Sequence, residues 1–421
     1  MSARPPLLLL THRIPYPPNK GDKIRSFNLL RFLATHYAVH LGAFVDDPDD
    51  WRHADTLTTW CISHRLVALQ PRRARLRSLR GLLTGEALTL PYYASPELRA
   101  WVEATLRETG AQRLVVFSAA MAQYAEGLGP GVRCLLDLVD VDSEKWRQYG
   151  ERRRGPLGWI YRREARCLRA YEARASRTCA ATLLVSAAEA ALFRERCPDG
   201  APPTVVANGI DTGYFRPDPA HGDPYPAGTR ALTFTGAMDY WPNIDAVCWF
   251  AEAVLPAIRA RHPDAVFHIV GARPAPAVER LARRPGIRVV GPVADMRPWL
   301  QHAALLVAPL RIARGIQNKV LEGFAMARPV LTTSEALAGI DAGTDYPLAA
   351  QTPAELARLA GEVLAGRIDP ELGPRLRARV RADCAWPTRL AVLHGLLETP
   401  AQAVADTTAA PSRPLLEVGS P

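Results

Sequence analysis

The stretch that decides the fold is Ala308-Pro-Leu-Arg-Ile-Ala-Arg-Gly-Ile-Gln-Asn-Lys-Val-Leu-Glu-Gly-Phe-Ala-Met-Ala-Arg-Pro-Val-Leu331. An apolar run, a glycine-containing loop, a helix-compatible segment and a second apolar run follow one another. This order predicts a strand, a loop, a short helix and another strand that opens at Pro329. Asn318 is a good N-cap, so we expect the helix to run from Lys319 to about Ala327.

The start of this helix has the features of a diphosphate-binding site. Free backbone N–H groups and the positive end of the helix dipole favour an anion there, and Gly315 permits close approach of the backbone. Lys319 adds a positive charge. Glu322 lies one turn later on the same face, where its carboxylate would accept two ribose hydroxyls. The alternative is an ordinary loop and helix in which Lys319 and Glu322 form a surface ion pair.

Short apolar runs alternate with helical patterns almost throughout the chain. The runs that predict strands of a first half lie near 7–11, 38–45, 65–69, 113–117, 133–139 and 181–186. Those of a second half lie near 204–207, 231–235, 265–271, 287–290, 304–309 and 329–333. Apolar residues between 244 and 258 recur at three and four residues, as on one face of a helix. This alternation predicts an α/β protein with two doubly wound parallel sheets.

The predicted domain boundary lies where prolines and glycines accumulate, between residues 198 and 230. We therefore expect an N-terminal domain over 1–200 and a C-terminal domain over 201–375. A C-terminal helix over 376–397 is expected to return to the first domain, and 398–421 to form a disordered tail.

Composition bounds the class of protein. The chain has 421 residues, 48% hydrophobic and 22% charged, with a formal net charge of +10. These values are typical of a globular protein with anionic partners. No apolar run is long enough for a membrane span, so we expect a cytoplasmic protein. Two arginine-rich stretches, 72–80 and 152–177, stand out. The second predicts an amphipathic helix that either packs on its own domain or lies on an anionic membrane surface.

Two further segments combine a strand with a glycine. The loop after the first strand joins Gly21 to Lys20, Lys23 and Arg25 and then starts a helix, which makes it a plausible anion cradle. The strand before Gly236 delivers that glycine to the carboxyl edge of its sheet, where α/β proteins bind ligands.

The following motifs occur in this order: the loop Pro15-Tyr-Pro-Pro-Asn-Lys-Gly-Asp-Lys-Ile-Arg25, Asn208-Gly-Ile-Asp211, Gly236 with Asp239, Gly291-Pro-Val293, Asn318-Lys319…Glu322 and Arg328-Pro-Val330. In combination they resemble the family 4 glycosyltransferases of the GT-B fold. The resemblance covers about residues 7–397. Details point to a narrower group, the bacterial sugar transferases of the PEP-CTERM/exosortase exopolysaccharide system. The details are the stretches Thr235-Gly-Ala-Met-Asp-Tyr-Trp-Pro-Asn243 and Ala313-Arg-Gly-Ile-Gln-Asn-Lys-Val-Leu-Glu322.

The resemblance implies a retaining, metal-independent enzyme that needs no cofactor and takes a nucleotide sugar as donor in a cleft between two domains. Glu322 would hold the donor ribose, and Lys319 with the backbone of Gly315, Ile316, Gln317 and Asn318 would hold the diphosphate. Other residues implied to approach the donor are Gly236, Gly21, Asp22, Arg25 and, at the base, Val293. The implied acceptor is a glycan on a polyprenyl diphosphate at the inner membrane face, so the enzyme would work peripherally there; no nucleic acid is expected as a partner.

The sequence departs from this family at the donor sugar. Arg314 stands where a second glutamate is usual, eight residues before Glu322. The family's usual Arg and Lys align with Ala237 and Pro242, and Arg311 or Arg314 would substitute for them. Asp140 and Asp142 follow a strand and are candidates for a catalytic role near the acceptor; the alternative is a helix N-cap. With Arg314 they complete the predicted catalytic set.

Competing classes lack their signatures. No G-x-G-x-x-G follows a strand, no Walker A loop occurs, and Lys319 is the sole lysine of the second half, which argues against a dinucleotide, a P-loop or a pyridoxal phosphate enzyme. Two alternatives stay open. One is a catalytically degenerate GT-B protein that binds a glycan or a partner, and the other is a basic nucleic-acid-binding protein.

Overall fold

The computed structural model describes residues 4–129, 131–313, 316–338, 340–343 and 346–399. They form two compact units. The first unit holds the described residues up to Leu184, Glu189–Val205 and the described residues from Ala391. The second holds Val185–Ala188 and Val206–Leu390.

The first unit is built on a seven-stranded parallel sheet with the order β3-β2-β1-β4-β5-β6-β7. Its central strand is almost wholly apolar, and Leu7–Leu10 are buried because helices cover both faces of the sheet. The strands are β1 (Pro6–Thr11), β2 (Ala38–Val45), β3 (Ser63–Ala68), β4 (Arg113–Phe117), β5 (Arg133–Val139), β6 (Ala181–Leu184) and β7 (Thr204–Val205).

The second unit is built on a five-stranded parallel sheet with the order β10-β9-β8-β11-β12. Consecutive strands lie to one side of β8 and later strands to the other, so the order reverses between β8 and β11. Such a reversal leaves a crevice at the carboxyl ends of the two strands. The strands are β8 (Arg230–Thr235), β9 (Ala265–Val270), β10 (Ile287–Gly291), β11 (Leu305–Ala308) and β12 (Val330–Thr332).

Helices separate the strands along the chain. Three short 3-10 helices (Pro48–His53, Asp55–Thr59 and Ala119–Tyr124) and one π-helical turn (Phe250–Val254) accompany them. The α-helices are α1 (Gly21–His36), α2 (Pro71–Ser78), α3 (Arg80–Thr84), α4 (Thr89–Tyr92), α5 (Pro96–Thr109), α6 (Asp142–Arg152), α7 (Gly155–Thr178), α8 (Ala187–Arg196), α9 (Trp241–Trp249), α10 (Leu255–Arg261), α11 (Pro276–Leu281), α12 (Arg297–Gln301), α13 (Asn318–Ala325), α14 (Ser334–Leu337), α15 (Pro353–Leu364), α16 (Leu372–Asp383), α17 (Trp386–Leu390) and α18 (Val392–Glu398).

The predicted α/β class with two doubly wound parallel sheets is confirmed. One strand was assigned to the wrong sheet: the run at 204–207 was expected in the second half, whereas β7 pairs with β6 and closes the first sheet. The reason is that the long segment of the second unit, Val206–Leu390, begins only after Val205, inside the proline-rich region. The predicted boundary between residues 200 and 201 lies just before this point.

Two helical predictions have clear outcomes. The apolar stripe predicted between 244 and 258 lies on α9, the π-helical turn and α10, where Val247, Ala251, Val254 and Ile258 are buried. The arginine-rich stretch predicted over 152–177 forms α7, whose buried residues include Leu168 and Tyr171. The apolar face of this helix therefore packs on its own unit. Within the described ranges, no helix is both long and apolar enough to cross a membrane.

Candidate functional site

A pocket of about 470 Å³ opens at the carboxyl edge of the second sheet. This volume is within the range of small-molecule sites in proteins. The pocket lies beside the end of β8 and the start of α13, on either side of the point where the strand order reverses. It is lined by Phe215, Thr235, Gly236, Tyr240, Met296, Ile316, Gln317, Asn318, Lys319 and Glu322.

The first turn of α13 forms one wall of this pocket. The helix begins at Asn318 and its N-cap is Gln317, which makes no side-chain capping hydrogen bond. The prediction that Asn318 caps the helix was therefore wrong by one residue, because the chain turns helical already at Asn318. A helix start without a side-chain cap leaves backbone N–H groups available to a ligand, and the helix dipole favours an anionic one.

Lys319 projects from this turn towards β8. Its Nζ donates a hydrogen bond to Oδ1 of Asn243 at 2.9 Å and lies 5.0 Å from the centre of the Phe234 ring. Burial lowers the pKa of Lys319 to about 8, although the charge of Glu322 acts in the opposite direction. Among the described residues, no carboxylate lies within ion-pair distance of the Lys319 ammonium. An anion bound next to it would return the pKa of Lys319 to its usual value.

Glu322 follows one turn later and also lines the pocket. Burial raises the pKa of its carboxyl to about 7, and Lys319 offsets only part of this effect. The two side chains do not form the exposed ion pair that was the alternative interpretation of the sequence, because both are largely shielded from water. A buried carboxylate of this kind is stabilised by ligand hydroxyls that donate hydrogen bonds to it.

Gly236 brings the backbone of β8 close to this pair. Its φ of +150° is in the region that disfavours a side chain, and a Cβ there would lie 2.7 Å from Nδ2 of Asn243. That amide donates to the carbonyl of Ala237 at 2.9 Å. Gly271 packs against the same place, since its Cβ would lie 1.7 Å from the Gly236 carbonyl oxygen.

Several residues in the pocket lining or in contact with it were not found from the sequence. Asn243 is the most informative, because it links the Gly236 turn to Lys319 through both ends of its amide. Its position two residues after the start of α9 was the signal. Phe215, Tyr240 and Met296 reach the pocket from loops or the residue before a helix, where hydrophobic periodicity gives no signal.

Four residues predicted at the donor site have other outcomes. Arg314 and Gly315 lie outside the described residues. Val293 lies in the loop after β10, and from this loop Met296 lines the pocket. Arg311, a predicted substitute cation, pairs with Asp245 and lies 5.2 Å from the Trp249 ring, so its charge is already compensated.

The glycine loop of the first unit leads directly into α1, whose first residue is Gly21. Gly21 is exposed, and a Cβ added to it would meet no atom within 4 Å. Next to it, Asp22 bonds Arg13 and lies 3.3 Å from Nε2 of His12. Burial alone would raise the pKa of Asp22, but the His12 hydrogen bond and the Arg13 charge outweigh it and hold this pKa well below its usual range.

The predicted anion cradle of this loop is only partly present. Arg25 was expected near the donor, but it is buried and pairs with Asp137 of β5, Nε to Oδ2, at 2.8 Å. Lys23 is likewise buried and pairs with Asp50 at 2.7 Å. Both side chains are buried in these ion pairs, and of the predicted cations Lys20 is the exposed one.

Asp140 and Asp142 lie at the carboxyl end of β5. Asp142 is the first residue of α6 and the N-cap is Val141, so the interpretation of Asp142 as a capping residue was wrong. Burial raises the pKa of Asp142. Desolvation, and then the charges of Glu189 and Asp142, raise the pKa of Asp140 to about 6, although its side chain is exposed on one side.

Residues 229–365, which include most of the pocket, match the family model described as Glycosyl transferases group 1. None of the curated proteins matches the sequence. Similar solved structures include Anabaena Alr3699/HepE in complex with UDP and glucose, with 15% identity, a TM-score of 0.61 and coverage of 93% of this chain and 99% of that chain. Another is sucrose-phosphate synthase from Thermosynechococcus elongatus, with 16% identity, a TM-score of 0.61 and coverage of 93% and 98%.

A third similar structure is WaaG, a glycosyltransferase involved in lipopolysaccharide biosynthesis, with 16% identity, a TM-score of 0.59 and coverage of 93% and 100%. Identities this low concern the fold alone. The fold is that of two Rossmann-like domains, as in GT-B glycosyltransferases. The family match covers residues 229–365, which lie in the second unit.

Proposed function

We propose that the protein transfers a sugar from a nucleotide diphosphate donor to a glycan or lipid-linked acceptor. The observation that carries the proposal is the pair Lys319 and Glu322, one helical turn apart in the pocket, whose pKa values are shifted in opposite directions towards neutrality. A diphosphate would compensate the ammonium, and ribose hydroxyls would compensate the carboxylate. Similar folds were solved with UDP and with UDP-glucose.

The finer part of the proposal concerns the chemistry. Lys319 and the uncapped start of α13 would stabilise the charge that develops on the leaving diphosphate, without a metal ion. Transfer would retain the anomeric configuration, through attack of an acceptor hydroxyl on the face that the diphosphate leaves. Asp140, with a pKa near 6, would be ionised at neutral pH and able to accept a hydrogen bond from an acceptor hydroxyl.

The biological part of the proposal is exopolysaccharide biosynthesis in the PEP-CTERM/exosortase system. Its support is the resemblance of the sequence motifs around Gly236, Lys319 and Glu322 to that group. The acceptor would be a growing glycan on a polyprenyl diphosphate, reached by a peripheral protein at the inner face of the membrane.

Thermal-shift binding of a panel of nucleotide diphosphates and nucleotide sugars tests the donor site. A ligand that binds only the folded state raises its stability by about 2.7 kcal/mol at a hundred times its dissociation constant. We expect one nucleotide to stabilise the wild type and to lose this effect in Glu322→Ala. The matched control is Glu279→Ala on α11, which lies outside the residues that line the pocket.

A product assay then distinguishes an active from a degenerate transferase. Donor binding with turnover and an unchanged anomeric configuration supports the full proposal. Donor binding without hydrolysis or transfer to any glycan would leave the degenerate GT-B alternative. Stabilisation by DNA or RNA, with none by nucleotide sugars, would overturn the proposal in favour of a nucleic-acid-binding protein.

A further inference from the structure

The segment formed by α2 and α3 in the first unit has its large apolar residues on the exposed side, the reverse of an ordinary surface helix. Leu79 joins the two helices in a right-handed helical conformation, so the chain from Pro71 to Thr84 keeps one helical sense. Small residues face inwards, and large apolar residues face outwards. The inward residues are Ala74, Ser78 and Gly81.

The outward residues form a stripe with the spacing of one helix face. Leu76, Leu79 and Leu83 are three and four residues apart, and their exposed fractions are 70%, 49% and 91%. A surface helix normally buries such a stripe. Scattered exposed leucines need no explanation, but three on one face form a contiguous apolar surface that marks an interaction site.

Arginines border this stripe. Residues 71–85 contain five arginines and no acidic residue. At 100° per residue, Arg72 and Arg80 fall on the same side of the helix as the leucines, and Arg73 and Arg75 lie beside them. We call the surface made of Leu76, Leu79, Leu83 and these four arginines the α2–α3 face.

The α2–α3 face is held firmly in this orientation from below. Arg77, the remaining arginine of this segment, points inwards. It donates hydrogen bonds to the carbonyls of Pro91 and Tyr92 at 2.7 and 2.8 Å. From α7, Arg163 donates to the carbonyls of Gly81 and Glu86. The leucines are therefore presented outwards by fixed contacts on the opposite side of the segment.

The same contacts bring the two arginine-rich stretches of the sequence together. Trp159 precedes Arg163 by one helical turn, so it lies on the side of α7 that meets α3. Its side chain is 53% exposed, and Arg153, Arg154 and Arg162 beside it are exposed as well. Exposed tryptophan with arginine is the composition of the interface between water and lipid.

We propose that the α2–α3 face, with Trp159 at its edge, docks the protein on an anionic phospholipid bilayer. The apolar stripe would enter the boundary between headgroups and acyl chains, and the arginines would contact lipid phosphates. The inference deepens the proposed function, since a lipid-linked acceptor lies at such a surface.

Other occupants fit the face less well. A nucleic acid would accept the arginines but would place Leu76, Leu79 and Leu83 against charged phosphates. A second copy of the chain, packed face to face, would oppose arginines with arginines. A bilayer with anionic headgroups satisfies both the apolar stripe and its positive border.

Co-sedimentation with vesicles tests the proposal. The full-length protein is mixed with vesicles of phosphatidylcholine alone or with about one-third phosphatidylglycerol. We expect binding to the anionic vesicles alone, weakened about tenfold or more in Leu76→Ser/Leu83→Ser and about fivefold or more in Arg72→Glu.

Matched controls separate this face from general basicity. Ile62→Ser removes a side chain that is 72% exposed in the same unit. Ile62 immediately precedes β3, about 20 Å from the start of α2. Arg107→Glu reverses an exposed charge on α5. Both controls should bind like the wild type, and all variants should keep its melting temperature.

Three results would overturn the proposal: no binding of the wild type, equal binding of the leucine variant, or a wild-type dimer that this variant converts to a monomer. Thermal shift with nucleotide sugars on the same variants separates the two proposals. The leucine variant should keep donor binding. If the wild type binds vesicles but no nucleotide sugar, the proposed function fails while the docking surface stands.

Discussion

Donor binding should exchange protons with the solvent, and the direction of this exchange should reverse between about pH 7 and about pH 8. At about pH 7 Glu322 is about half ionised and Lys319 about nine-tenths protonated, given pKa values of about 7 and about 8. Ribose hydroxyls that donate to Glu322 return its pKa towards the usual 4.5, and a diphosphate next to Lys319 returns that pKa towards 10.5. Both groups then become fully charged.

The net count follows from these fractions. At about pH 7, Glu322 releases about 0.5 proton and Lys319 takes up about 0.1, which leaves a net release of about 0.4. At about pH 8, Glu322 releases about 0.1 and Lys319 takes up about 0.5, which leaves a net uptake of about 0.4. The direction changes because the carboxyl titrates below the ammonium.

Isothermal titration calorimetry measures this count from the dependence of the binding enthalpy on the ionisation enthalpy of the buffer. A nucleotide sugar is the right ligand, because its diphosphate diester does not titrate near neutral pH. In Glu322→Gln, donor binding should be accompanied by proton uptake at both pH values, because only Lys319 changes its protonation. In Lys319→Met, it should be accompanied by proton release at both pH values, because only Glu322 does. An exchange of the same sign at both pH values in the wild type would refute the assignment of the two groups to the donor.

Three further predictions concern stability and geometry. Folding raises the pKa of Glu322, so the contribution of this carboxyl to stability is complete below about pH 4.5 and is lost as the pH rises through about 7. Glu322→Gln should therefore raise the free energy of unfolding by about 1–2 kcal/mol at about pH 8 and leave it unchanged at about pH 4. Urea titrations at the two pH values measure this difference. Gly236→Ala should cost about 1–3 kcal/mol and weaken donor binding about tenfold or more by displacing the Asn243 amide; calorimetry that gives wild-type affinity would contradict the close approach. Arg25→Met should cost about 3–5 kcal/mol by leaving Asp137 buried without its cation, and Arg25→Met/Asp137→Leu should recover most of it; an equal loss in both would show that packing, not charge, holds α1 in place.

The sequence predicted the sheets well and the loop side chains poorly. Buried parallel strands such as β1 are continuous apolar runs, so each has a signal of its own that needs no partner. The single strand in the wrong sheet, β7, is two residues long and lies next to the change of unit, where local composition does not identify the neighbouring strand.

The pocket between β8 and α13 shows the same division. Lys319 and Glu322 were found because helical spacing fixes their common face. Asn243 was missed because its hydrogen bond with Lys319 joins segments that are 76 residues apart in sequence. Arg25 was misplaced for a related reason: the carboxylate that draws it into the interior, Asp137, lies on a strand with no local sign of the pairing.

The backbones of Gly236 and Gly271 are in close contact beside the pocket of the second unit. Mutagenesis should leave this contact unchanged and vary side chains elsewhere in the pocket lining. A library that varies Gly271 would mostly return unfolded clones, because a Cβ there would lie 1.7 Å from the Gly236 carbonyl oxygen. A Cβ at Gly236 would displace the Asn243 amide. Phe215, Tyr240 and Met296 line the same pocket with side chains that point from loops and helix ends. Directed evolution of donor preference should therefore randomise these three positions on a fixed backbone.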